Sequence, residues 1–487
     1  MKRTWFIPVV WCLALAGFAV RADDMKDAIV KIYSIVNTPD YYNPWSMRGT
    51  SASTGSGSII KGRKILTNAH VVSDQTFIQV RRHGEARRYV ARVVQVSHEA
   101  DLALLEVEDE AFFEGSTSLE LGELPNPQSE VLVYGFPMGG DTLSITKGVV
   151  SRIEHSTYSH ASSYLLTGQI DAALNPGNSG GPVLKDGKIV GVAMQVMSQA
   201  DNIGYMIPMP VIQHFFRDIE DGKRDGFPSL GVVLQDLENP DLKRYCRVDE
   251  GETGMLVQQV LPGSPADGVL NPGDVLVELA GQAIADDGTV EFRPRQRTSL
   301  AYYVQQLQVG ETLSVELLRA GQHHSLDIVL DRPVSRDALV GGEQYDVRPS
   351  YFIYGGVVFS PLSKNFLRMW GPSWYNNAPN NLVAVLMDNV PEVEGEQVVL
   401  ALKVLADEAN QGYHDLNNWV VKTVDGNPIR SMKELIAAVK QGAGKEFVTF
   451  GDDNGRVVVL DRQKAESSQA DLLNLYRIPA DRSPDLQ

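Results

Sequence analysis

Cysteine is almost missing from this sequence, with two in 487 residues. Cys12 falls inside an apolar run at the N-terminus, which leaves Cys246, and one thiol excludes an internal disulfide framework. Long apolar runs are scarce too. The one that stands out, Trp5 to Val20, follows Lys2 and Arg3 and ends at Val20-Arg21-Ala22. It is shorter than the roughly 20 residues of a spanning helix and has the layout of a secretory signal peptide cut after Ala22. An uncleaved membrane anchor is the competing reading. No later segment is apolar enough to cross a bilayer, so no stable membrane span is expected after cleavage. Positive charge is in deficit: the formal net charge is −17, and it becomes more negative without Lys2, Arg3 and Arg21. That excess argues against nonspecific binding of nucleic acid. The one local basic group, Arg293, Arg295 and Arg297 in "RPRQR", reads as a solvated loop.

Two further absences concern chemistry. The Gly-rich stretch "NPGNSGGP" (175–182) is not followed by Lys as in G-x-x-x-x-G-K-[ST], and a strand pattern comes next, so it is no phosphate cradle. "HEADL" (98–102) has Leu102 where a zinc H-E-x-x-H motif needs its second His. "DDNG" (452–455) reads as a hairpin turn rather than a calcium loop. No metal and no cofactor are expected.

What is present is ordinary globular sequence, 43% apolar and 22% charged, long enough for about three domains. From 56 to 207 the pattern is short strands between Gly, Asn and Asp turns, the mark of barrels or a sandwich. "PVIQHFFRDIEDG" then has helical spacing and closes the first domain at Gly222. After a linker, "KRDGFPS", two mixed α+β units follow. "VELAGQAI" (277–284) and "VKTVDGNPI" (421–429) occupy matching places in them, each followed by a helix and a hairpin, so the two units read as copies of one fold. In the first, "SLAYYVQQLQVG" reads as a helix ending on Gly310; in the second, Ser431 is a plausible cap for "SMKELIAAVKQG". The expected boundaries are 1–22 for the signal, 23–222, 223–334 and 335–463 for the domains, and 464–487 for a polar tail.

A serine hydroxyl becomes a nucleophile only with a base in reach, a carboxylate behind the base, and donors for the developing oxyanion. Backbone donors converge where side chains do not obstruct them, which is a reason for glycines around Ser179. Gly177 and Ser179 N–H, with Asn178 as a third candidate, are the expected donors. Among nine histidines, His70 in "ILTNAHVV" follows an apolar strand and sits among small residues. Asp101 opens "DLALLEV". Each alone has a bland reading. "NPG" recurs at 271–273 as a plain turn, His70 could be a satisfied core residue, and Asp101 could simply start a strand. The order His70, Asp101, Ser179 within one β-rich domain is that of chymotrypsin-type barrels. An acyl hydrolase elbow would instead lead into a helix and place its His last.

"TNAHVV", "HEADLALLEV" and "DAALNPGNSGGPV" resemble the three catalytic blocks of the HtrA/Deg serine proteases. "GSGSII", "GFPMG" and "IGYMIPM" match segments usual in that family. The resemblance implies a mainly β fold: a chymotrypsin-like double β-barrel protease domain followed by two α+β PDZ domains. It implies Ser179 as nucleophile, His70 as general base, Asp101 as orienter of the imidazole, and no metal. The S1 pocket is expected from Leu174, Val196 and Met197, whose apolar wall favours cleavage after small or medium apolar residues. "SLGV" matches the family's carboxylate loop, giving Leu230, Gly231 and Val232 as the site for peptide C-termini, with the helix from Ser299 to Gln308 as the groove's other wall. In the second unit "YGGVVF" is the analogous loop, open to an internal ligand or a neighbouring subunit. That unit carries an extra stretch, "LSKNFLRMWGPSWYNNAPNN", and resembles a Deg branch found in plants and some bacteria. The family assembles as trimers or hexamers, and "YYNPW" (41–45) is read as an oligomer contact, with packing in a surface loop as the alternative. The implied function is an exported, periplasmic endopeptidase acting on unfolded or damaged protein. A peptide-binding chaperone or scaffold with a resting protease domain is the alternative.

Overall fold

The computed structural model describes residues 25–196, 203–388 and 390–487. The expected signal segment and Met197 lie outside them. Two closed six-stranded barrels come first. β1 (Ile29–Pro39), β2 (Met47–Ile60), β3 (Lys64–Thr67), β4 (Gln75–Arg82), β5 (Tyr89–Ser97) and β6 (Leu102–Val107) close in the order β1-β2-β3-β6-β5-β4. β7 (Glu130–Gly135), β8 (Ser144–Thr157), β9 (Tyr164–Ile170), β10 (Pro182–Lys185), β11 (Lys188–Val196) and β12 (Gly204–Pro208) close as β10-β11-β12-β9-β8-β7.

Alternating β-branched and leucyl residues place one face of each strand inside. Ile65 stands opposite Leu105 across the β3/β6 pair, and both are fully buried. Burial of one such side chain contributes about 1.5–3 kcal/mol. One continuous apolar core runs through both barrels and takes in Val211, Ile212 and Phe215 of the closing helix Met209–Asp218.

The next unit is a sheet whose edge strand is Val232–Asp236, joined in turn to Met255–Val260, Val275–Leu279, Thr312–Arg319 and Gln322–Val329. Two expectations change here. "RPRQR" is solvated only in part: it turns the hairpin Thr289–Arg293/Gln296–Ser299, with Arg295 and Arg297 exposed. Arg293 then reaches the carbonyls of Leu124 (2.6 Å) and Pro125 (2.9 Å) on the protease domain. The helix after it covers only Ala301–Gln305, because Ser299 is spent on that hairpin. The unit rests on the second barrel, where His155 bonds Thr298 (2.7 Å) and Gln305 (3.1 Å). Burial pushes the His155 imidazole down to about 4, so it bridges the two domains as a neutral ring.

The last unit has two four-stranded sheets. One orders Phe352–Tyr354, Val357–Pro361, Val399–Val404 and Trp419–Val421. The other orders Asn427–Pro428, Thr423–Val424, Phe447–Gly451 and Val457–Asp461. The extra stretch forms short helices, Lys364–Leu367 and Trp374–Asn377, followed by Asn380–Asp388, whose Phe366, Leu367, Trp374 and Leu382 cover the first sheet. Ser431 caps Met432–Gln441 by accepting from Glu434 N–H at 3.2 Å.

The residues read as a polar tail belong to this unit. Arg462–Leu475 is a helix with Leu472 buried, and the segment beyond it pairs with the sheet through Ile353 N–H to Asp481 O (2.7 Å). Of the aromatics of "YYNPW", Tyr41 is buried and Trp45 half-buried, while Tyr42 stays exposed. The Trp45 and Tyr351 rings meet at 5.8 Å, and the Lys403 ammonium lies 4.6 Å from the Tyr42 ring and 5.2 Å from the Trp45 ring. These contacts join the turn to the last unit. Among the described residues no helix is long and apolar enough to cross a membrane.

Candidate active site

His70 lies in a single helical turn, Ala69–Val72, that leaves β3. The turn fits against β2 because Gly55 faces Val71; a Cβ on Gly55 would lie 2.6 Å from the Val71 methyls. Asp101 precedes β6 at φ +53°, a left-handed conformation that Asp tolerates better than most residues. Its carboxylate makes two bonds to one residue: Oδ2 meets His70 Nδ1 at 2.7 Å and Oδ1 accepts from His70 N–H at 2.9 Å. Asn68, fully buried, donates Nδ2–H to Asp101 O at 2.9 Å and holds the turn from behind. The Asp101 side chain is fully buried whereas that of His70 is 32% exposed, so the imidazole opens to the cleft and its carboxylate does not. Burial opposes a charge on His70, but the Asp101 carboxylate and its hydrogen bond outweigh burial and raise the imidazole above its ordinary 6.5.

Ser179 arrives from the second barrel, on the loop before β10. The glycines around it are room for neighbouring backbone. A side chain on Gly180 would collide with the Ser56 carbonyl and the Thr67 hydroxyl, and one on Gly177 would lie 2.5 Å from Phe136 O. The loop is therefore seated directly against the strand that leads to His70. Gly177 (φ +100°) and Ser179 have backbone N–H groups with no acceptor among the described residues. Asn178 differs: its N–H is spent on Asn175 O at 2.9 Å, so it is no free donor. The Ser179 hydroxyl points to Met194 O at 3.1 Å, and His70 Nε2 has no hydrogen-bond partner among the described residues. Nucleophile and base are neighbours that are not yet bonded.

Beside Ser179 lies a cavity of about 20 Å³ whose apolar wall is Leu174, Ala193 and Met194. That holds about one water and no side chain. The strand pairing shifts register between Ala193 and Gln195, and Ala193 and Met194 line the cavity beside Leu174. The Val196 side chain and Met197 fall outside the description.

Sequence reasoning missed Ser56, Asn68 and Met194. Ser56 sits in the quoted "GSGSII", yet nothing in a Ser-Gly run says which loop it will meet. Met194 acts through a bulge that has no sequence signal.

Leu230, Gly231 and Val232 lie at the start of the edge strand of the first C-terminal unit. Gly231 (φ +72°) gives its N–H to Ser229 Oγ at 2.8 Å, and Ser229 bonds the Asp337 carboxylate. The loop expected as its counterpart, Tyr354–Val357, is a tight hairpin turn with Gly355 at φ +52° and Gly356 at φ +83°.

A family model described as a trypsin-like peptidase domain matches residues 55–192, and one described as a PDZ domain matches residues 340–485. The chain is 43% identical over 464 residues to Protease Do-like 2, chloroplastic, of Arabidopsis thaliana, covering 94% of this chain and 75% of that protein. It is 39% identical over 467 residues to Protease Do-like 4, mitochondrial, of the same plant, covering 96% and 86%. A solved HtrA-type protease AlgW variant with decapeptide is 23% identical with a TM-score of 0.50, over 64% of this chain and 97% of that one. That last likeness is one of fold.

Proposed function

The chain belongs to the HtrA/Deg (Do-like) family of serine proteases, and from that premise we propose that it is an exported endopeptidase working through Ser179, His70 and Asp101. Ser179 Oγ attacks the scissile carbonyl while its proton passes to His70 Nε2. The carbonyl electrons move to oxygen, where the N–H groups of Gly177 and Ser179 receive the charge. His70 then protonates the leaving amine. In the second half water repeats the sequence on the acyl group. Asp101 holds the imidazole with Nδ1–H directed at the carboxylate, so Nε2 is the basic nitrogen. The observation that carries this reading is the 2.7 Å His70–Asp101 bond beside a loop with two unspent N–H groups. Replacing Ser179 by Ala removes about 10⁴–10⁶ of the rate of casein cleavage; undiminished cleavage overturns the assignment.

The small apolar cavity supports cleavage after small or medium apolar residues once Leu174 and Met194 move apart. The open edge of Val232–Asp236 suits strand addition by an unfolded or damaged substrate, its C-terminus at Leu230–Val232. Export to the periplasm rests on the layout of residues 1–22. Assembly as trimers or hexamers follows the family.

A second reading, a peptide-binding scaffold with a resting protease, is favoured by one observation: Ser179 is bonded to Met194 O and not to His70. A fluorophosphonate probe, applied with and without a peptide ligand, separates the two. Labelling of Ser179 under either condition supports the protease; none under both supports the scaffold.

A further inference from the structure

Ser56 is fully buried at the middle of β2, in the first barrel. Its carbonyl accepts from the Thr67 hydroxyl at 2.7 Å within the same barrel, and three further bonds cross to the second. Its N–H donates to Ser179 O at 2.8 Å. Its hydroxyl donates to Gly177 O at 2.7 Å and accepts from Phe136 N–H at 2.8 Å. A peptide unit is planar, so fixing its carbonyl fixes the direction of the N–H on the opposite side. Three carbonyls define the Ser179 loop in this way: Pro176 O accepts from Met138 N–H (2.7 Å) and sets Gly177 N–H, Asn178 O accepts from Gly181 N–H (2.9 Å) and sets Ser179 N–H, and Gly177 O, held by Ser56, fixes the intervening peptide unit whose Asn178 N–H is bonded to Asn175 O. The first two anchors lie within the second barrel. Only Ser56 reaches across. Gly177, with φ +100° and no Cβ, is the residue at which the loop is freest to swing its carbonyl round.

We propose that Ser56 is a positioning residue for catalysis, its hydroxyl holding the Gly177–Asn178 peptide unit that links the two donor-bearing units, so that the Gly177 and Ser179 N–H groups keep a common direction toward the developing oxyanion. A second brace runs parallel to it. Lys31, nearly buried on β1, donates to Gly140 O (2.6 Å) and pairs with Asp141 (2.8 Å), tying down the 136–141 loop whose Met138 N–H holds Pro176 O. The first barrel thus braces the loop that carries the donors as well as supplying the base. This rests on the reading of Gly177 and Ser179 N–H as the oxyanion donors.

The test uses the full chain and a chromogenic peptide substrate. Losing one oxyanion donor outright costs about 10²–10³ in kcat. Ser56→Ala, which misaims the donors without deleting them, is expected to lower kcat by about tenfold to a hundredfold with KM within about twofold. The pH midpoint set by His70 stays in place, and affinity for a peptide boronate falls in parallel with kcat. Ser56→Cys, keeping a weak donor, recovers part of the loss. A folded Ser56→Ala enzyme with unchanged kcat overturns the proposal, and so does a loss confined to KM. Should Ser56→Ala not fold, Asp141→Ala, at an exposed side chain, serves instead; it is expected to lower kcat by a few-fold, and an unchanged kcat overturns the brace. Ser179→Ala separates this from the catalytic reading. If that variant is dead while Ser56→Ala is fully active, only the role of Ser56 fails.

Discussion

The two barrels contribute unequal halves of the site. The first delivers a finished pair: His70 and Asp101 are bonded twice, and Asn68 holds the turn behind them. The second delivers Ser179 on a loop whose hydroxyl bonds Met194 O, beside a cavity with room for about one water. His70 and Asp101 flank neighbouring strands of one closed barrel, so the barrel's own hydrogen bonds set their geometry. Ser179 is held by bonds within its own barrel and by Ser56 from the other, and its hydroxyl is turned to Met194 O rather than to His70.

The comparison breaks first at Asp101. Asp101→Asn removes the ready half and is expected to cost about 10⁴ in kcat, read with a peptide substrate; a loss under tenfold would make the pair ornamental. Next comes pH. His70 must be neutral to accept the serine proton, and its pKa lies above 6.5. Activity should therefore climb about tenfold per pH unit up to that raised pKa and then level off. For stability the sign is opposite: the pair's contribution is complete below 6.5 and fades as pH rises through the raised pKa. A kcat/KM profile with its midpoint below 6.5 contradicts both.

A smaller effect sharpens the second half. Leu174 rests against Gly204, where a Cβ would lie 2.6 Å from its Cδ1. Leu174→Ala should open the cavity and shift preference toward larger apolar residues by about 1–3 kcal/mol, or 10–200-fold at most, as a peptide-library profile would show. An unchanged profile removes Leu174 from the pocket.

The smallest effect concerns the C-terminal units, which repeat the contrast between open and closed. The strand after Gly231 is a sheet edge, whereas the strand after Gly356 is flanked on both sides, by Phe352–Tyr354 and Val399–Val404. In the second unit Gln469 of the chain's own helix also meets the turn, accepting from Gly355 N–H at 3.3 Å. A peptide with a free C-terminus should bind the first unit only. Asp337→Asn, which removes a carboxylate bonded to Ser229 behind the loop, should strengthen that binding by about 0.2–1 kcal/mol, a few-fold. Fluorescence titration of the full chain checks it. Weaker binding would mean that Asp337 organises the loop rather than opposing the ligand.

The strand pattern, the closing helix and the Ser431 cap were legible because each is written locally, in periods of two or 3.6 residues and in a side chain three positions from its partner. The wrong expectations share the opposite character. Arg293 of "RPRQR" looked like free surface because its partner, the Leu124 carbonyl, lies far away in the chain. The last residues looked like a tail because an amphipathic helix with one small apolar group has no visible partner until the sheet it covers is folded.

By itself, then, the sequence determined the order His70, Asp101, Ser179, the glycines that let the Ser179 loop be seated, and the β-rich framework, since local propensity and side-chain volume suffice for these. The tertiary structure decided the rest. It turned the Ser179 hydroxyl to Met194, spent the Asn178 N–H inside its own turn, put Ala193 and Met194 in the pocket, and brought Ser56 across to hold Gly177. Those choices rest on backbone hydrogen bonds between segments distant in sequence. A backbone N–H or C=O is the same group at almost every residue, so its partner is fixed only when the barrels close against each other.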